Sequence, residues 1–519
     1  MTSFVGYPSS YRAPFTALQL LFGQGPSNAP SGPRTAMYMG PKTSAGSATV
    51  NTAYPITSEA DAITLFGTGS PVHRAIRRHL LASTLGNIVG ICYAASSGGS
   101  PVAAAATITI TFTSGSNPTA TGNVRTWVCG EIIDVAFNTA DTATTIAANI
   151  AAGINAKPWL PCTASPAVGV VTITARVAGA SQGDGTVGVI RIRSIPDAGK
   201  NVISTTSGAA LGLGTGAAGA DGSTTEATNL AAALATITNT RYYYMGFTVW
   251  AATPLASITT HVNTKSQANP GLRCRAFTAY TGTLTACETI ALTVNYERQH
   301  VVHQANSEWD TADLVGNAVA IHQSQEAAVG GFVPDLYRGK DWMCPPAYAN
   351  SDWPTSTNIN DAVTDGIIEV ASDQFGSFMV MSVNTRSRDS GGTLADFRAT
   401  ETHRISFLDA LGDRWMQRDQ ATYAGLKLMP DQLMPDGSVN FNQKVPPKTL
   451  TPSLYKPFAA KQIEEGGDNG EIQNVPGWLA SLNITIDPNN VSRNVITASG
   501  RTIDIRHQTA IQLSETTPG

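Results

Sequence analysis

Charge is what this sequence has least of: Asp, Glu, Lys and Arg make up 13% of its 519 residues, against roughly 25% in an average soluble domain. A monomer of this size stays soluble by scattering charge over its surface. A large, weakly charged chain rich in Ala, Gly, Thr and Ser instead fits a subunit that hides much of its exterior in an assembly. Cysteine pairs are missing too. Cys92, Cys129, Cys162, Cys274, Cys287 and Cys344 are spread without a C-x-x-C spacing, which excludes a recognisable zinc motif or disulfide framework and leaves reduced thiols as the expectation. No apolar run is long enough to span a bilayer, and the first ten residues lack a basic start followed by an apolar core. A soluble chain made in the cytoplasm is expected, so the triplets beginning at Asn483 and Asn490 carry no glycosylation meaning. The formal net charge of -4, without a basic stripe, excludes a dedicated nucleic-acid binder.

What is present is best seen in residues 56–80, which read as two helices meeting at a tight corner. Ser58 caps the first helix, with Asp61 closing a capping box, and Gly67 and Gly69 end it with permissive backbone. Ser70 and Pro71 start the second helix. There Val72, Ala75, Ile76 and Leu80 form one stripe and Arg74, Arg77 and Arg78 the opposite face, the pattern of a helix packed on a sheet.

At roughly 100 to 200 residues per domain the chain should hold about three. Residues 1–30 read as an arm around a short strand, in which Leu18, Leu20 and Phe22 share a face and Phe15 precedes them. Residues 31–97 and 221–345 alternate strands and helices. The strands are expected at 35–39, 87–93, 242–250, 274–280 and 300–304, and the later helices at 229–237, 255–268, 284–296 and 309–329, an α/β core with a mixed sheet flanked by helices. Residues 98–206 interrupt it as an inserted β-rich α+β domain of β-β-α-β-β order. Its strand at 107–113 points Ile108, Ile110 and Phe112 inward, and its helix from Thr142 carries Ile146, Ile150 and Ile154. A Gly-rich linker, 207–220, leads back to the core. Residues 345–365 read as loop within a C-terminal α+β domain, 346–500. That domain holds a hairpin at 366–384, a helix at 397–418 and a strand at 479–486, and a strand-competent arm, 501–519, follows.

Four patterns invite a chemical reading, and each fails on its surroundings. Gly214, Gly216 and Gly219 match the dinucleotide fingerprint, but no strand runs into the first glycine. Asp389-Ser390-Gly391-Gly392 resembles the surroundings of a serine nucleophile, without the histidine motif that would serve it. His300 and His303 lie in a strand, where residues three apart point to opposite faces. Glu297, Asp310, Asp313 and Glu326 read as ordinary surface carboxylates. No catalytic residue, metal or cofactor is expected.

The wording of residues 65–71, a leading helix, then Leu65-Phe66-Gly67-Thr68-Gly69-Ser70, then an amphipathic helix, resembles contractile phage tail sheath proteins, particularly the Mu-like branch. The resemblance continues in order. The arm comes first, then residues 141–156 with 160–164 and 171–175 of the insert, then residues 216–221 leading into 230–234 and 241–244, and finally 365–370 and 383–387. The double threonine usual in the last strand is Asn384-Thr385 here.

That resemblance implies a structural, non-enzymatic subunit of a contractile sheath. Its subunits form a homo-oligomer of hexameric rings stacked helically around a tail tube, and contraction drives the tube through the host envelope. Tube, baseplate and tail terminator proteins would be its partners, with no nucleic acid and no direct membrane insertion. Its place would be the virion tail, after assembly in the host cytoplasm. Terminal arms would donate strands to neighbouring subunits, through Phe15, Leu18, Leu20 and Phe22 at one end and Ile503, Ile505 and Ile511 at the other. Gly67 and Gly69 would fix the corner. Another phage tail or capsid structural protein, or the sheath of a bacterial contractile injection system, is the alternative.

Overall fold

The computed structural model describes residues 34–84, 86–179, 190–207, 214–215, 219–249, 251–268, 271–305, 307–328, 342–345, 353–373, 376–389, 392–395 and 400–502. Among the described residues, β1 (Ala36–Pro41) and β2 (Ala53–Ile56) come first, then the two corner helices α1 (Glu59–Phe66) and α2 (Pro71–Ala82), and β3 (Ile88–Tyr93). The capping box between Ser58 and Asp61 forms, and Ser70 caps α2 with Pro71 in its first turn. Both helices therefore start where their own side chains satisfy free backbone N–H groups.

The insert follows as β4 (Ala103–Phe112), β5 (Gly122–Val128), β6 (Glu131–Phe137), α3 (Ala143–Asn155), β7 (Cys162–Ala167), β8 (Val170–Ala178), β9 (Arg191–Pro196), β10 (Val202–Thr206) and β11 (Gly214–Thr215). These strands form two antiparallel four-stranded sheets, ordered β10-β4-β8-β7 and β11-β9-β5-β6. Ile108, Val124, Ile133, Ile173 and Ile192 from the two sheets close one core with Ile146, Ile150 and Ile154 of α3. The expected five elements are thus a fuller sandwich. Strand β7 contains Pro166, which is tolerated because β7 lies at the sheet edge. Asn155 of α3 mimics the missing neighbour there, donating to the Ala164 carbonyl at 2.8 Å and accepting the Ala164 N–H at 2.9 Å.

The core resumes with α4 (Glu226–Thr236), β12 (Tyr244–Phe247), α5 (Ala252–Ser266), β13 (Arg275–Tyr280), α6 (Leu284–Val294), β14 (Gln299–His303), α7 (Thr311–Ala328), α8 (Ser356–Thr364), β15 (Ile368–Asp373) and β16 (Gly376–Met379). Eight strands make one sheet in the order β16-β15-β14-β13-β12-β1-β3-β2. The pairs from β15 to β3 are parallel, and the outermost pair at each edge is antiparallel. Helices cover both faces, which is why β1, β13 and β14 are buried along their whole length. Alternation along β1 divides the two sides. Met37 and Met39 pack with Leu230, Leu234, Ile258 and Val262 of α4 and α5. The Tyr38 hydroxyl turns the other way, 2.6 Å from His79 Nδ1 on α2 and donating to the Gly316 carbonyl of α7 at 3.3 Å.

Two expectations change here. Residues 345–365 are not all loop, because Thr355 and Asn358 form a capping box that starts α8. The hairpin β15–β16, placed by sequence in the C-terminal domain, extends the large sheet through the parallel pairing of β14 with β15.

A second unit includes residues 403–502. It contains α9 (Thr402–Tyr423), β17 (Lys427–Leu428), β18 (Thr449–Leu450), α10 (Pro452–Asp468), β19 (Ile472–Gln473), α11 (Val475–Ser481), β20 (Asn483–Asp487), β21 (Asn490–Thr497) and β22 (Arg501–Thr502). Tyr455, Ala459 and Ile463, at four-residue spacing on α10, pack with Leu450, Ile472, Trp478 and Leu482. Residues 479–481, read as strand, end α11 instead. Helix α10, with Pro457 inside it, has no counterpart in the sequence reading.

Candidate assembly surfaces

The corner is the first element that positions the rest. Gly67 and Gly69 both hold left-handed backbone, with φ of 77° and 73°. A Cβ on Gly69 would stand 2.2 Å from the Leu160 carbonyl oxygen of the insert, so this glycine also lets the insert approach the core. Gly69→Ala should lower stability by about 1–3 kcal/mol, from backbone strain together with the clash. Gly115→Ala isolates the backbone contribution, because its φ is 69° with nothing within 4 Å of the added carbon. Thermal unfolding of the two variants should show the larger drop for Gly69, and equal drops would remove the close approach from the account.

Helix α2 is buried on both faces. Val72, Ala75 and Ile76 are fully closed off, and Arg74 and Arg78 are 3% and 6% exposed. Asp313, in the first turn of α7, receives Arg78 Nε at 3.0 Å and is also bonded by Arg74. Asp310 Oδ2 lies 3.9 Å from Arg74 Nε. Burial pushes the Asp310 carboxyl up against the pull of Arg74. The surface reading of Asp310 and Asp313 is therefore corrected: they are buried at 6% and 2% exposure. Two carboxylates three apart at a helix start suit its dipole, but their cationic partners are more than two hundred residues away in sequence, beyond any local pattern. Glu297 lies 3.7 Å from Arg386 Nη1, and the side chain of Glu326 lies outside the described residues.

The same charges seat the insert. Arg78 Nη2 is 3.4 Å from Glu131, which accepts from Lys157 at 3.0 Å. The Arg78 guanidinium stands 4.1 Å over the Trp309 ring. Arg193 pairs with Glu308, and Arg191 donates to Thr281 Oγ1 at 2.9 Å. Charge-assisted and cation–π contacts of this kind fix orientation as well as energy. The connection between insert and core is zipped rather than free where it is described. Val102 and Ala220 exchange two 2.9 Å backbone bonds, and the Thr224 N–H donates to Ser97 at 2.9 Å. Gly214 pairs with Ile192 and Gly216 lies outside the described residues. Gly219 sits against backbone carbonyls of Gly179 and Val102. The helix that follows starts only at Glu226, so the fingerprint glycines do not open a helix.

The remaining chemical candidates that are described have partners within the fold. Asp389 accepts the N–H groups of Thr393 and Leu394 at 3.0 and 3.2 Å, closing its own loop, and Ser390 lies outside the described residues. His300 stacks on Phe277 and its Nδ1 is 2.9 Å from the Val383 carbonyl. His303 has acceptors at both ring nitrogens, Glu369 Oε2 at 2.6 Å and the Gly282 carbonyl at 3.0 Å. Only the imidazolium can donate to both. Burial alone would push His303 down, but Glu369, Gly282 and Glu288 outweigh it and hold the imidazolium above its ordinary value. Its stabilising share is therefore complete below the unfolded value of about 6.5 and is lost as pH rises through the higher folded value. Thermal midpoints measured upward from pH 6 should fall more steeply for the parent than for His303→Gln, and parallel curves would count against the ion pair.

In the second unit β20 and β21 form a two-stranded sheet that lacks a third strand among the described residues. Ile484 and Ile496 anchor one face of it to the core. A hairpin supported on one face, with no third strand among the described residues, has the form to which a strand can be added. A structured excursion after β17 shows Leu433, Met434 and Phe441 at 64%, 46% and 86% exposure. It is held by Asp431, which accepts from Ser453, and by the Asn440 N–H on the Gln432 carbonyl at 2.8 Å. The expected arm residues Phe15, Leu18, Leu20 and Phe22, and Ile503, Ile505 and Ile511, lie outside the described residues.

No protein-family model matches the chain, and no curated protein does. Among solved structures it is similar to a sheath tail protein of Desulfitobacterium hafniense, with 13% identity over 96% of this chain and 100% of that one and a TM-score of 0.45. A sheath tail protein of Listeria innocua shares 10% identity over 92% and 96% of the two chains, with a TM-score of 0.44. The PVC sheath complex of an extracellular contractile injection system, in its contracted state, shares 8% identity over 99% of each chain, with a TM-score of 0.43.

Proposed function

We propose that this protein is the structural subunit of a contractile tail sheath. The observation that carries the reading is the ordered set of sheath-like segments along the chain, beginning with the glycine corner of residues 65–71. The arrangement of the fold supports it. A core sheet covered on both faces, an insert seated by buried charge and a two-stranded sheet in the second unit give rigid parts that strand-forming arms can link. In this reading residues 1–30 and 501–519 are the arms and 98–206 is the inserted domain. Subunits stack as hexameric rings around a tail tube, between baseplate and terminator, in a particle assembled in the host cytoplasm. Strand exchange keeps neighbours joined while cores rotate during contraction. The work comes from assembly in a high-energy state, so no catalytic residue and no cofactor enter it.

Negative-stain microscopy of the purified full-length protein tests the proposal. Hollow striated cylinders are expected. Smooth narrow tubes would favour a tail tube subunit, and dispersed monomers at high concentration would sink the sheath reading. The same mechanism would serve a bacterial contractile injection system, which the neighbouring genes would distinguish from a phage.

A further inference from the structure

Two side chains cap the start of α2, and one of them can be protonated. Ser70 Oγ accepts the His73 N–H at 3.2 Å, the ordinary first half of a capping box. In the second half the residue three places on reaches back to a free backbone N–H, a task usually done by Glu or Gln, whose oxygen accepts at neutral and acid pH alike. His73 stands in that place. The Gly69 N–H, one residue before the cap, donates to its Nδ1 at 3.0 Å. Nδ1 must therefore carry a lone pair, and the ring proton sits on Nε2, which lies 3.4 Å from Glu59 Oε1 of α1. The ring is fully buried. Its partners lead to the insert from two sides. Gly69 stands against the Leu160 carbonyl and the Arg176 side chain. Glu59 accepts from Arg77 Nε at 2.9 Å, and the Arg77 guanidinium lies 4.7 Å over the Trp159 ring.

We propose that His73 is an acid-sensitive cap, which locks the corner between α1 and α2 when neutral and loosens the seat of the insert on the core when protonated. Protonation places a second N–H on Nδ1. That N–H faces the Gly69 N–H donor to donor, so the bond is lost, and a buried positive charge stands in the first turn of α2, where the helix dipole disfavours it. The charged groups around the ring are Glu59 on α1, Arg74 and Arg77 on α2 and, beside Gly69, Arg176 on β8. Burial, aided by Arg74 and Arg77, outweighs the pull of Glu59 and pushes His73 down to about 4. The fold thus favours the neutral ring. Its stabilising share is complete above the unfolded value of about 6.5 and is lost as pH falls through the lower folded value. That sign is opposite to the one at His303. The device needs only the corner and the insert, and it does not depend on what the chain assembles into.

The test compares the full-length parent with His73→Gln, which keeps an acceptor at the same helical position and removes the titration. Between about pH 7.5 and about pH 5 the thermal midpoint of the parent should fall a few degrees further than that of the variant. At the lower pH, amide hydrogen exchange in residues 69–77 and 157–162 should be faster in the parent than in His73→Gln, with α10 equal in both. Comparison at one pH cancels the intrinsic exchange rates. The parent also serves alone, should the variant fold poorly: after correction for intrinsic rate, protection of the corner should drop on acidification. Parallel midpoint curves, or corner protection in the parent that is the same at both pH values, would overturn the proposal.

Discussion

Replacing Asp313 by alanine should cost about 3–5 kcal/mol, because it removes one partner from a buried ion cluster and leaves the other charges uncompensated. Arg74 and Arg78 both bond this carboxylate, and both are almost closed to water. After the change Arg74 retains Asp310 at 3.9 Å and Arg78 retains Glu131 at 3.4 Å. Neither replaces the lost bonds. In thermal unfolding a loss of that size corresponds to a drop of roughly 10 °C. Arg125→Ala is the control: Arg125 meets Asp134 at 2.7 Å, but the two side chains are 56% and 46% exposed. An exposed pair of that sort is worth about 0–1 kcal/mol. A small effect at Asp313, similar to that at Arg125, would mean that water enters the α2–α7 contact and that the cluster does not seat the insert.

The same cluster marks where local reading of the sequence stops. The corner helices were legible because their determinants lie within a few residues: Ser58 with Asp61, Ser70 with Pro71, and the glycines between. The parallel strands were legible as short apolar runs spaced by helical patterns. Asp310 and Asp313 were misread as surface because a carboxylate looks the same whether water or an arginine two hundred residues away completes it. Strand β7 contains Pro166 and helix α10 contains Pro457, so in both tertiary packing outweighs local propensity. The Cys129 turn had no local signal at all. Its positive φ, in the loop between β5 and β6, is a property of the folded insert. For the arms, the sequence supplies the main indication, because residues 1–30 and 503–519 lie outside the described ones and only Arg501–Thr502, paired with β19, are described.

Deleting residues 1–25 should abolish polymerisation while leaving the thermal midpoint of the monomer nearly unchanged. In the proposed sheath, Phe15, Leu18, Leu20 and Phe22 would anchor the arm, and fully burying a large apolar side chain is worth roughly 1.5–3 kcal/mol, or about 6–12 kcal/mol for the four. Association itself costs about 4–15 kcal/mol in lost translational and rotational freedom. The arm's contribution is thus of the size that separates a stable mesh from dispersed subunits, before main-chain hydrogen bonds of the added strand are counted. A finer variant tests the strand geometry. Residues 18, 20 and 22 share one face of an extended chain and residue 19 the other. Leu20→Asp should therefore prevent cylinder formation, and Gln19→Asp should leave it intact. If the two variants assemble equally well, the arm does not act as a strand with one buried face. If the deletion itself still yields normal cylinders, the joint between subunits lies elsewhere, and the exposed loop carrying Leu433, Met434 and Phe441 becomes the next surface to alter.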